Sequence, residues 1–189
     1  MIGNINEFKE KMGLKNLPAE LEELINFENN LPNAKYYSNG FETIFMEDKS
    51  GLVYGWCDKK DFLDKLIPFA TANGSGSFYT LWINDVEKSL SQMPVIVFGD
   101  EGGVHIIAEN ILELLHLITY DVEIEVDENR FFFPKHNTNY KESENLRYYL
   151  QWINEKYNLE SIKEPEIIIK KAQEKYGECF RNWFKEYYK

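Results

Sequence analysis

Residues 68–84, PFATANGSGSFYTLWIN, decide how this chain folds. The Gly74-Ser75-Gly76-Ser77 centre has the composition of a loop that cradles phosphate. Such a loop needs a Lys, then Ser or Thr, then a helix. No Lys follows Ser77. Phe78-Tyr79-Thr80-Leu81-Trp82-Ile83 follows instead, aromatic and β-branched, and predicts a strand. Upstream, Leu66-Ile67-Pro68-Phe69-Ala70 reads as extended, because Pro68 restrains Ile67. Residues 73–77 are thus a tight turn between extended segments, with glycines supplying positive φ. The strand after the turn is apolar on both faces: Phe78, Thr80 and Trp82 alternate with Tyr79, Leu81 and Ile83. One face belongs to the core, and the other needs a cover or a partner.

Working outward, Met93-Pro94-Val95-Ile96-Val97-Phe98-Gly99 reads as a buried strand. Asp100-Glu101-Gly102-Gly103 reads as a turn and Val104-His105-Ile106-Ile107-Ala108 as the returning strand. Asn110 is an N-cap, with Glu113 three residues on, for a helix burying Ile111, Leu112, Leu115 and Ile118. Before the central stretch, Leu17, Leu21, Leu24 and Ile25 form a helix stripe, with Pro18 in its first turn. Residues 41–46 and 52–56 read as strands around a turn at 48–51.

The last third changes character. Val122-Glu123-Ile124-Glu125-Val126 alternates like a short edge strand. Helices follow. The first, 144–157, buries Tyr148 or Tyr149, Trp152 and Ile153. The second opens at Pro165, carries Ile168, Ala172 and Tyr176, and closes at Gly177. A third offers Cys179, Phe180, Trp183, Phe184 and Tyr187. The domain reading is an α+β unit over 1–120 and a helical extension over 121–189 packed on it.

The 189 residues carry a net charge of −11. Residues 1–40 contribute −2, residues 41–120 contribute −7 and residues 121–189 contribute −2. This field repels nucleic acid and either steers a basic partner inward or, as acidic proteins more often use it, serves solubility alone. No apolar run reaches the length of about 18 residues that a spanning helix needs, so no membrane partner is expected. The N-terminus lacks an apolar signal region, which places the chain in the cytoplasm. Cys57 and Cys179 share no metal or redox spacing and are expected as free thiols in or near the core. Asp58, Asp61 and Asp64 share one face of a helical turn, but Lys59, Lys60 and Lys65 surround them, as on a solvated face. His105, His116 and His136 have no partner in sequence. No residue pattern marks a catalytic, metal or cofactor site.

Leu17-Pro18, LIPFATANGSGSFYTLWI and PVIVFGDEGGVHIIAENILELL together resemble the SUKH superfamily, which includes yeast cell-wall-assembly regulators and many bacterial immunity proteins. YLQWINEKYNL and AQEKYGECFRNW resemble the terminal extension of some relatives. Many relatives carry an acid after the leucine of the central strand, where this chain has Trp82. The resemblance implies an α+β fold, with a curved antiparallel sheet, an N-terminal helix and helices packed around it. It also implies a non-enzymatic protein-binding module without cofactors. Bacterial members are thought to neutralise toxins, often nucleases, by direct binding; the alternative is a regulatory scaffold binding cellular proteins. A partner surface is expected around Tyr79 as anchor, rimmed by Asp85, Glu87, Asp100 and Glu101.

Overall fold

The computed structural model describes residues 5–11, 13–33, 36–44, 49–134 and 140–188. Its centre is a four-stranded antiparallel meander, β1 (Leu66–Thr71), β2 (Phe78–Trp82), β3 (Val95–Phe98) and β4 (Val104–Ala108), in that spatial order. Phe78 pairs with Thr71 on one side and Phe98 on the other, which sets the register. The register shifts between Pro68 and Ala70 and between Val95 and Ile96, and such bulges twist and curve a sheet. The outer edge of β1 is covered by residues 42–44: Ile44 N–H donates to Phe69 O at 2.9 Å and Thr71 N–H to Glu42 O at 2.8 Å.

Every residue of β2 is buried, because helices cover both faces of the sheet. Tyr79, Leu81, Val95 and Val97 face α2 (Ala19–Asn29), α5 (Ile111–Leu117) and α6 (Leu146–Tyr157). Phe78, Trp82, Ile96 and Phe98 face α3 (Ser50–Gly55), α4 (Lys60–Leu63) and α7 (Pro165–Phe184). A short α1 (Ile5–Lys11), which the sequence did not mark, inserts Phe8 into the first core. A two-stranded ribbon, β5 (Glu125–Val126) with β6 (Phe131–Phe132), stands apart from the main sheet.

Local signals explain the well-read elements. Asn110 Oδ1 accepts the Glu113 N–H at 2.9 Å, and Glu113 Oε2 reaches back to the Glu109 N–H at 2.9 Å. Pro18 stands one residue before α2 as its N-cap, and its carbonyl accepts from Leu21 and Glu22. In α5, Leu114 and Leu117 are buried and Leu112 is only half-buried.

Four sequence readings are corrected. Residues 52–56 are not a strand. A strand would put Leu52 and Tyr54 on one face, yet Leu52 is fully buried and Tyr54 is 88% exposed. The helix α3 satisfies both, and it brings Trp56 to the side of Leu52, where it meets Phe98 edge-on at 5.2 Å. Of the strand read over 41–46, Thr43 forms a bridge to Ala70, and residues 45–46 lie outside the described residues. Gly177 does not end a helix. It sits inside the 20-residue α7, whose stripe of Ile169, Ala172, Tyr176 and Phe180 runs past it unbroken. Glycine costs about 1 kcal/mol inside a helix, and burial of Phe180 against Trp82 offsets that. Cys57 and Cys179 are free thiols, but Cys179 points outward from α7 and is exposed.

Candidate protein-binding surface

In the Gly-Ser turn the backbone N–H groups converge on a side-chain oxygen of the protein itself. Asn73 Oδ1 accepts the N–H groups of Ser75, Gly76 and Ser77 at 3.2, 3.1 and 3.0 Å, and the Ser75 hydroxyl at 2.9 Å. Asn73 Nδ2 then donates to Ile124 O at 3.1 Å, tying the turn to the chain ahead of β5.

The same end of the sheet carries the β3–β4 turn and the β5–β6 ribbon. The Ser77 hydroxyl donates to Asp100 Oδ1 at 2.6 Å, and Ser75 Oγ, 3.0 Å from the same oxygen, shares its one proton between Asp100 and Asn73. Burial pushes the Asp100 carboxyl up, but the Ser77 and Ser75 hydroxyls outweigh it and hold the group below the usual carboxylate range. Gly74 N–H donates to Glu123 Oε2 at 3.3 Å. Gly103 has φ +81°, and a Cβ there would overlap the carbonyl of Asp127, so only glycine allows the turn this close to the ribbon. His105 Nε2 lies 3.0 Å from the same carbonyl. The histidine is a brace for the ribbon.

This rigid end gathers Asp100, Glu101, Glu123, Glu125, Asp127 and Glu128. Among the described residues, Arg130 is bound to Asp127 at 3.0 Å, and Lys141 lines a cavity of about 280 Å³ with Glu123, Glu125, Asn39 and Tyr140. Next to it, the buried Asp121 accepts from Asn39 N–H, Ser143 Oγ and Tyr140 Oη at 2.8, 2.6 and 2.8 Å, anchoring the start of the C-terminal third.

The expected patch does not assemble as a unit. Tyr79 is 3% exposed, packed 6.1 Å from Phe41, and burial pushes its phenol well up. It is a core residue and cannot serve as a surface anchor. Asp100 and Glu101 are exposed at the acidic end. Asp85 and Glu87 lie in the β2–β3 connection, at the opposite end of the five-residue β2, a separation of roughly 17 Å along the strand. There Asp85 is engaged locally, accepting the Glu87 N–H at 3.0 Å and pairing with Lys88 at 3.5 Å.

Besides Asp121, two buried or shielded carboxylates escaped the sequence reading. Glu28, on the core face of α2, accepts Tyr37 Oη and Thr43 Oγ1 at 2.6 Å each. Burial pushes it up to about 7, against the lowering effect of Thr43 and Tyr37. Glu109 is clasped by Lys171, at 2.9 Å, and by Lys175, both on α7. Their partners are distant in sequence, so no spacing announces them. Asp64 pairs with Lys60, and Asp61 accepts from Tyr187, as suits a solvated face. Among the described residues no group of His, Cys, Asp and Glu is arranged to hold a metal ion, and no helix is long and apolar enough to cross a membrane.

A family model described as the SMI1 / KNR4 family (SUKH-1) matches residues 3–116, more than half of the chain. The chain belongs to the SMI1 / KNR4 family. No curated protein and no solved structure matched it. The SUKH-1 segment contains α1 to α4 and the whole sheet and ends inside α5. In this SUKH-1 chain the second face of the sheet is therefore closed by α7, from beyond the matched segment.

Proposed function

We propose that this SUKH-1 chain is a non-enzymatic, cytoplasmic protein-binding module, an immunity protein that neutralises a bacterial toxin by direct contact, with a nuclease as the best-fitting toxin class. The observation that carries this reading is the acidic end of the sheet. Its carboxylates sit on turns locked by the Asn73, Ser77–Asp100 and Gly103–Asp127 contacts, and among the described residues Arg130 and Lys141 are the cations beside them. A nuclease presents a basic surface where the phosphate backbone docks. Complementary potentials of this kind raise the association rate and exclude wrong partners. A regulatory scaffold of the same fold is the second reading. It is favoured by another concave surface, between α2 and α6.

The test is stopped-flow association with a nuclease toxin domain, sought first among the genes next to this chain's own. Combined reversal of the exposed Glu101, Glu125 and Glu128 to Lys should slow association about tenfold or more at low salt, with the difference shrinking at high salt. Reversal of Asp85 and Glu87 is the control and should change little. Equal association rates for the wild type and the triple variant would remove the acidic end as the docking surface.

A further inference from the structure

On α6, Tyr148, Gln151, Trp152 and Glu155 follow a spacing of three and four and so share one face. That face meets the C-terminal end of α2, where Phe27, Leu31 and Pro32 complete an open groove of about 400 Å³. Phe27 and Trp152 stack with centroids 4.9 Å apart. Behind them stands the fully buried Tyr149, 5.6 Å from Phe27 and 5.5 Å from Trp152, its hydroxyl donating to Leu115 O at 2.6 Å. The floor is thus preformed and rigid, which lowers the entropy cost of binding.

Tyr148 is different. It is 40% exposed, and among the described residues its ring touches no other ring; the Arg147 guanidinium lies over it at 5.3 Å. A gap therefore separates it from the Phe27–Trp152 stack. Neither the Tyr148 hydroxyl nor Trp152 Nε1 bonds to another described residue, so two ring donors remain unused in the groove. The ends differ in charge. Glu155 marks one end, one of its oxygens accepting from Gln151 at 2.8 Å and the other left for a ligand, and the adjacent Lys156 is spent on Glu23 at 2.8 Å. Beyond the lining at the other end, Arg147 lies over Tyr148.

We propose that this groove binds a short proline-rich segment with one basic residue, presented by a partner protein. Spaced aromatic rings with free donors suit a polyproline II ligand, whose prolines fill the gaps and whose carbonyls have no internal partner. From Tyr148 to Glu155 is roughly 10 Å along the helix, a span of three to four residues at about 3.1 Å each in polyproline II. The basic residue pairs with Glu155, and Arg147 repels it from the other end, which fixes the ligand's direction. The parallel stacking of Phe27 on Trp152 leaves no box of facing rings for a quaternary ammonium ion.

The experiment is titration of the full chain with an acetylated Pro-Pro-Leu-Pro-Pro-Arg peptide, followed by calorimetry and tryptophan fluorescence. Saturable binding is expected. Tyr148→Ala, at an exposed position whose fold is checked by circular dichroism, should weaken it about tenfold or more. Glu155→Lys should weaken the Arg peptide and leave its Arg→Ala counterpart unaffected. Absence of saturable binding, or equal binding by the wild type and both variants, overturns the proposal. So does tighter binding of tetramethylammonium or of an amphipathic helical peptide at the same groove. The measurement contains no toxin, so its outcome is independent of the immunity reading.

Discussion

The indole of Trp82, on β2, meets Phe180, on α7, edge to face, with ring centroids 5.1 Å apart and planes at 76°. Trp183 adds a second contact to the same indole at 5.3 Å. This is the cover that the two-faced central strand requires. Phe180→Ala should cost about 3 kcal/mol, through lost burial and the cavity left behind. Urea unfolding measures it, and trypsin should reach Lys170, Lys171 and Lys175 faster in the variant. A loss below about 0.5 kcal/mol would mean that α7 is not held by this contact.

Glu28 makes stability depend on pH near neutrality. Its carboxyl is pushed up from 4.5 to about 7 in the folded protein, burial being the leading cause. The folded state therefore holds the proton more tightly than the unfolded state. The stabilisation is complete below about pH 4.5 and is lost as pH rises toward 7, a change on the order of 3 kcal/mol. Glu28→Gln should abolish this slope and be the more stable protein at pH 8. Denaturation midpoints from pH 5 to 8 decide it; parallel curves for the two proteins would refute the assignment.

Glu109 acts in the opposite direction. Burial raises it, but the hydrogen bonds from Lys175 and Lys171 outweigh burial and hold it below its ordinary value. Its contribution is present above that ordinary value and is lost as pH falls through the lowered one. Glu109→Gln should cost about 1 kcal/mol at pH 7, because both lysines are well exposed. The cost should vanish in acid, which thermal melts at pH 7 and pH 3 can compare.

Thr80 carries a hydroxyl that is fully buried and has no hydrogen-bond partner among the described residues. It lies on β2 between Pro68 and Ile96. Thr80→Val keeps the shape and removes the unpaired group, so it should stabilise by about 1 kcal/mol. A higher melting temperature supports this. An unchanged or lower one would show that the hydroxyl has a partner.

How much was legible from sequence follows from the range of each signal. The strand at Phe78–Trp82, the turn before it and the Asn110 cap were readable because each is set within a few residues. Leu52 to Trp56 misled, since a short run of apolar and aromatic residues fits strand and helix alike, and only the burial of Leu52 with exposure of Tyr54 separates them. The acidity of the middle segment was plain, but its division between two ends of the sheet was not. Asp85 and Asp100 are separated by one strand reversal, which composition cannot register.

The sequence by itself determined the α+β class, the succession of the main strands, the SUKH resemblance and the turn at Gly74–Ser77, because alternation and turn residues are local properties. Only the tertiary structure decided which face of β2 is core to which helices. It buried Tyr79, carried α7 through Gly177, and set Glu28 against Tyr37 and Thr43. Each of these depends on contacts between residues far apart in the chain. Burial of Tyr79 and α7 draws on the removal of apolar surface from water, and Glu28 on two hydrogen bonds, and neither force marks along the sequence which distant residue is the partner.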